Sequence, residues 1–152
     1  MISYVDKITI VDYGYGNIFS IQSAIKALGF NTLITKCPKE ISKSEIIILP
    51  GVGAFKQAIH ALNESGITEA IKLSVRNGNG IIGICLGYQM LFDISEEFGI
   101  HKGLGLIEGR VKKLVTSKQY QNKVPNVGWR PIQVNDKNNF LSKSINNKMF
   151  YF

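Results

Sequence analysis

Gly80-Ile81-Ile82-Gly83-Ile84-Cys85-Leu86-Gly87-Tyr88-Gln89 is an apolar run that stops at a cysteine with a glycine two residues to either side, and helical periodicity follows. G-x-C-x-G at a strand-to-helix junction is the cysteine version of the nucleophile elbow. Its glycines let the chain turn sharply without side-chain clashes, so the thiol projects from the carboxyl end of a sheet. The same turn sets Cys85 at a helix N-terminus, whose partial positive charge favours the reactive thiolate. The motif is short, and a buried core cysteine after an apolar strand is the other reading it permits.

Glu45-Ile46-Ile47-Ile48-Leu49-Pro50-Gly51-Val52-Gly53-Ala54-Phe55 repeats the design: a buried strand breaks into a glycine-rich turn before a helical pattern. Glycines at 51 and 53 free the backbone to aim N–H groups at one point, as an oxyanion hole requires. The segment lacks the lysine of G-x-x-x-x-G-K-[ST], so it is not a P-loop. Taken alone, a P-G-x-G turn is also ordinary loop punctuation.

The rest of the chain alternates strand and helix. A strand at Lys7–Val11 leads to a helix over Asn17–Leu28 that Gly29 closes. Ile18, Ile21, Ile25 and Leu28 fall at helical spacing and turn one face toward a sheet. Strands at Thr32–Ile34 and Ile46–Leu49 follow, then helices over Ala54–Asn63 and Thr68–Arg76, with Gly66 and Gly78 as breaks. A central strand Ile81–Cys85 feeds a helix over Gly87–Ser95. This order predicts an α/β fold, a mainly parallel sheet with helices on both faces, and ligands at the carboxyl ends of the strands. From Gly103 onward the pattern turns β-rich, with strands expected at Val111–Val115 and Ile132–Val134 between Gly, Pro and Asn turns.

With 152 residues, 45% of them hydrophobic and 19% charged, the chain reads as one globular domain with a sizeable core. No apolar run is long enough to span a bilayer, and Met1–Asp6 is not a signal peptide. Two cysteines make no disulfide framework, which fits a reducing cytoplasm; Cys37, before Pro38 in a turn, reads as a structural or surface thiol. The formal charge of +7 is uneven. Residues 1–100 hold 8 Lys+Arg and 9 Asp+Glu, residues 101–152 hold 10 and 2. The lysines are scattered, with no aromatic platform or groove-reading motif, which argues against nucleic acid. A solvated face, or one meeting an acidic partner or a phosphorylated substrate, fits better.

Ile8-Thr9-Ile10-Val11-Asp12-Tyr13-Gly14-Tyr15-Gly16-Asn17-Ile18-Phe19-Ser20 resembles the opening of the glutaminase subunits of imidazole glycerol-phosphate synthase, class I (triad-type) glutamine amidotransferases of histidine biosynthesis. The resemblance runs on in order through Leu49–Phe55, Gly83–Gln89, Gly103-Leu104-Gly105-Leu106-Ile107-Glu108-Gly109 and Lys123-Val124-Pro125-Asn126-Val127-Gly128-Trp129. It implies a flavodoxin-like amidotransferase domain over residues 1–152 and a mechanism in which Cys85 attacks the side-chain amide of glutamine. Backbone N–H groups of Leu86 and of Val52 or Gly53 would hold the oxyanion. Gly51 and Gln89 would contact glutamine, although Gln89 without the family reads equally as a solvent-facing helix residue. No cofactor or metal is implied. The implied partner is a cyclase of (β/α)8-barrel type that takes up the ammonia in a heterodimer, met by the loop holding Asn126 and Trp129.

The resemblance also departs from its family. The family's catalytic histidine and its orienting glutamate lie in a C-terminal H-P-E segment that this sequence does not contain, and Lys148-Met149-Phe150-Tyr151-Phe152 reads as the start of a further strand. A domain lacking its C-terminal portion is therefore expected. His60 on a helix surface and His101 in a turn match neither missing residue. Asn126 and Val127 replace the usual histidine and methionine, and Arg130 follows Trp129, which itself also reads as a core aromatic beside Pro131. These changes leave two alternatives: a paralogue feeding ammonia to a sugar amidotransferase of surface-polysaccharide synthesis, and a non-catalytic remnant.

Overall fold

Apolar residues of both parities along the strands give the sheet two buried faces. The computed structural model describes residues 7–115, 124–135 and 142–152; the Met1–Asp6 opening and Lys123 of the fifth motif lie outside them. The chain divides into two compact units, Met1–Lys113 and Leu114–Phe152.

In the first unit, β1 (Lys7–Val11), β2 (Asn31–Thr35), β3 (Ile46–Leu49) and β4 (Gly80–Gly83) form one parallel sheet in the order β2-β1-β3-β4. Ile8, Ile10 and Ile48 point to one face, where Ile18, Ile21 and Ile25 of α1 (Ile18–Ala27) meet them. Val11, Ile47 and Leu49 point to the other. There they join Ile41 of α2 (Pro38–Ile41), Phe55, Ala58 and Leu62 of α3 (Phe55–Glu64), and Ile67 and Ile71 of α4 (Ile67–Arg76). Helices thus cover both faces, as the alternation predicts. The Asn17 side chain accepts from Ser20 N–H to start α1, and Gly29, at φ +86°, follows its end.

Several boundaries differ from the sequence reading. β4 is an edge strand among the described residues, not a central one. An Ile-Ile-Gly-Ile run carries no sign of how many neighbours a strand has. Here Ile82, paired in register with Ile48, is 52% exposed where Ile48 is buried. The expected helix over Gly87–Ser95 ends at Met90 as α5 (Leu86–Met90), and Phe92–Ser95 forms β5. The carbonyls that would continue that helix are taken by the glycine-leucine segment: Leu104 N–H donates to Met90, Leu106 and Ile107 N–H to Leu91, and Gly105 N–H to Phe92. Gly103 lies so close that a Cβ there would stand 2.1 Å from the Phe92 carbonyl oxygen. β5 pairs antiparallel with β6 (His101–Lys102) and parallel with β7 (Ile107–Val111) in a second sheet. That sheet replaces the strand expected at Val111–Val115, and it sets His101 in a strand rather than a turn. The short helix α2, with Pro38 in its first turn, was not foreseen.

The second unit holds the antiparallel pair β8 (Trp129–Pro131) and β9 (Met149–Tyr151), with α6 (Ser142–Ile145) before β9. The strand expected at Ile132–Val134 begins three residues earlier. Ile132 only extends the pairing through its N–H bond to Lys148 and its carbonyl bond from Asn147. Among the described residues no helix is long and apolar enough to cross a membrane.

The unequal cover on β3 and β4 is measurable. Ile47→Ala removes a fully buried side chain and should cost about 2–5 kcal/mol in urea unfolding. Ile82→Ala, half exposed, should cost under about 1 kcal/mol; equal costs would contradict this packing.

Candidate functional site

Two strand ends converge at the carboxyl edge of the sheet. Cys85 follows β4 and caps α5 with φ +55° and ψ −118°, a conformation that a residue bearing a Cβ rarely adopts. Such backbone strain costs about 1–3 kcal/mol and persists only where the surroundings impose it. Here the Gly87 N–H bonds the Ile84 carbonyl at 2.9 Å, and the Tyr88 and Gln89 N–H groups bond the Cys85 carbonyl at 3.0 and 3.2 Å. The turn is thereby closed on both sides of the thiol, which is exposed. The reading of Cys85 as a buried core residue is excluded.

The glycines around the cysteine are contact points. A Cβ on Gly87 would stand 1.9 Å from the Leu49 carbonyl oxygen, and one on Gly83 would stand 2.5 Å from the Tyr88 Cα. A Cβ on Gly51 would meet Gly87 N at 2.4 Å and the Leu86 carbonyl carbon at 2.8 Å. The turn after β3 therefore lies with its bare backbone against the first residues of α5. Gly51 is buried, Val52 is half exposed, and Gly53 is exposed at φ +92°. Among the described residues the N–H groups of Val52, Gly53 and Leu86 donate to no protein acceptor. Leu86 is buried, and Gln89, half-buried, lies one helical turn beyond the cysteine.

Both ends of the Gly51 turn are held. The Tyr13 hydroxyl donates to the Pro50 carbonyl at 2.8 Å, and its ring stacks on Tyr15 with centroids 5.8 Å apart. Burial, with Tyr15 adding to it, raises the Tyr13 phenol far above its ordinary pKa, so it remains a protonated donor. Gly16 lies where a Cβ would stand 2.8 Å from the Pro50 ring. On the far side, the Glu97 carboxylate accepts from the Phe55 N–H at 2.7 Å, capping α3, and the Ser95 hydroxyl accepts from the Glu97 N–H at 3.2 Å. The sequence reading missed Glu97. Forty-two residues separate it from its partner, and no local spacing joins an acid after β5 to the start of α3.

The remaining expected residues lie elsewhere. His60 Nε2 pairs with Glu64 Oε1 at 3.2 Å on the exposed side of α3. His60 and His101 both line a groove whose lining includes neither Cys85 nor the Gly51 turn. Cys37 is exposed before α2. Asn126 and Trp129 belong to the second unit. Both are exposed, and the Trp129 ring meets Tyr151 edge-on at 5.7 Å rather than entering a core. Among the described residues no group of three or more His, Cys, Asp or Glu could hold a metal ion. What the arrangement offers is a strained, exposed thiol beside unpaired backbone donors, suited to covalent attack on a carbonyl carbon.

Comparison with known proteins agrees with this chemistry. Residues 8–137 match the CobB/CobQ-like glutamine amidotransferase domain family. Imidazole glycerol phosphate synthase subunit HisH of Caldanaerobacter subterraneus subsp. tengcongensis is 41% identical over 145 residues, spanning 95% of this chain and 70% of the relative. Its counterpart in Geobacillus sp. is 45% identical over 124 residues, 80% of this chain and 59% of the relative. The chain spans about three fifths of the length of several such relatives. A solved structure described as a glutamine amidotransferase superposes with a TM-score of 0.58 over 67% of this chain and 54% of that one; at 21% identity it supports the fold.

Gly87→Ala should lower stability by about 3 kcal/mol or more, because the Leu49 carbonyl cannot move without breaking the Ile84 N–H bond it accepts. Chemical denaturation measures this, and a loss under about 0.5 kcal/mol would show that the two turns are not in contact.

Proposed function

The chain belongs to the family of imidazole glycerol phosphate synthase HisH subunits, within the CobB/CobQ-like glutamine amidotransferases, and from that premise we propose that it carries the nucleophile half of a glutaminase supplying ammonia for histidine biosynthesis. The observation that carries the reading is the conformation of Cys85: an exposed thiol on a strained turn at a strand end, against a second turn with free N–H groups. Sγ attacks the side-chain amide carbon of glutamine, and the amide oxygen takes on negative charge. The Leu86 N–H and that of Val52 or Gly53 receive this charge. The C–N bond then breaks, ammonia leaves, and water hydrolyses the glutamyl thioester to glutamate and free thiol. Gly51, whose bare face is taken up by α5, meets glutamine through its main chain, and Gln89 hydrogen-bonds it.

Taking the proton from Cys85 and giving one to the leaving nitrogen needs a base, and both histidines of this sequence line a groove whose lining does not include Cys85. The 152 residues alone therefore turn over no glutamine, as losing one member of a nucleophile–base unit costs about 10⁴-fold or more. The ammonia acceptor is a (β/α)8-barrel cyclase, met through Asn126 and Trp129, whose exposure suits an interface. All of residues 1–152 would serve as one amidotransferase domain in the cytoplasm, where free Cys37 and Cys85 stay reduced. The second reading, delivery to a sugar amidotransferase, is favoured only by Asn126 and Val127 ahead of β8 and Arg130 within it.

An electrophilic glutamine analogue such as a diazo-ketone tests the nucleophile. Mass spectrometry should find the adduct on Cys85 well before Cys37, and none on Cys85→Ser under the same conditions. Modification chiefly at Cys37 would overturn the assignment. A chimaera adding the relatives' H-P-E segment should release ammonia faster with the cyclase than without it; stimulation by a sugar amidotransferase instead would establish the second reading.

A further inference from the structure

The groove between the outer side of α3 and β6 takes no part in the chemistry above. It encloses about 460 Å³, within the range of small-molecule sites. Lys56 on α3 and Lys102 on β6 line it, and among the described residues neither stands in an ion pair. His60 and His101 add two imidazoles, and Asn63 adds an amide. Among the described residues no carboxylate lines the groove. The acids close to it in the chain are engaged: Glu64 with His60, Glu97 with the Phe55 N–H. Cations therefore meet across a concavity with no counter-charge in its lining, an arrangement that concentrates anions.

A second observation bears on the same wall. His101 Nε2 is buried and has no hydrogen-bond partner among the described residues. It sits under Gly99, where a Cβ would stand only 3.4 Å away. A buried polar atom left unpaired is costly, so a small shift of this ring that brings Nε2 to an acceptor is favourable. Ile100, 69% exposed, and Ile59 supply apolar surface beside the charges. A phosphate monoester matches this set. It carries close to two negative charges and three acceptor oxygens for the ammonium and imidazole groups, and an organic body can lie on the isoleucines.

We propose that the α3–β6 groove is a binding site for a small phosphate monoester, with its phosphate between Lys56 and Lys102 and its body against Ile100. The site is separate from the Cys85 turn and does not depend on what that turn does.

The two histidines of the chain both line the groove, so their imidazole C–H resonances report its occupancy without interference. Adenosine 5′-monophosphate serves as the probe, titrated at constant ionic strength. Both resonances should shift saturably; adenosine at the same concentration should leave them in place. The variant K56Q/K102Q, altered only at groove-lining lysines, should keep its folded spectrum and bind about fivefold or more weakly, the loss expected for charge-assisted bonds. No saturable shift by about 10 mM, a smaller loss in K56Q/K102Q, or equal binding of adenosine would each overturn the proposal.

Discussion

The structure depends on one backbone-to-backbone contact, the Gly51 turn lying against the first residues of α5. No side chain fits there. Cβ atoms on Gly51 or Gly87 would overlap the opposing main chain at 2.4 Å and 1.9 Å. Because the contact is this close, the turn that carries the free Val52 and Gly53 N–H groups abuts the residues that follow the thiol. The elbow is also forced through the left-handed region at Cys85, and the strain is tolerated because backbone bonds to the Ile84 and Cys85 carbonyls close the turn on both sides of the cysteine. A looser junction would let Cys85 relax and would turn its thiol away.

That contact recruits the rest of the first unit. The Asp12–Asn17 segment braces Pro50 through the Tyr13 hydroxyl and the bare Gly16, and the Glu97 carboxylate ties down the start of α3. The hydrophobic core behind the turn includes Leu49, Phe55, Leu86, Met90 and Leu104, all buried. Packing there sets the depth of both strand ends at once. Site and core are therefore mechanically one object, and a core substitution beneath the turn bears on reactivity as well as on stability.

How much of this was legible in the sequence follows from how local each signal is. The parallel α/β fold was readable because alternating apolar faces and glycine stops act within a dozen residues, and α1 and β3 fall almost where their patterns place them. The elbow was readable from Gly83, Cys85 and Gly87 alone. The end of α5 was not. Phe92–Ser95 has apolar spacing that suits helix or strand, and the choice is made by backbone bonds from Gly103–Ile107. The edge position of β4 and the Glu97 cap were hidden for the same reason, since both are set by contacts remote in the chain. The D-Y-G-x-G-N opening marked the family, yet the work of Tyr13 on the Pro50 carbonyl appears only in three dimensions.

In the proposed mechanism the contacting turns aim their N–H groups at one oxygen beside Cys85. This is tested most directly by a crystal structure of the chain with Cys85 carrying the ketone adduct of a diazo-ketone glutamine analogue. The adduct's carbonyl oxygen should lie about 2.7–3.1 Å from the Leu86 nitrogen and from that of Val52 or Gly53. A carbonyl oxygen directed into solvent, bonded to neither turn, would contradict it.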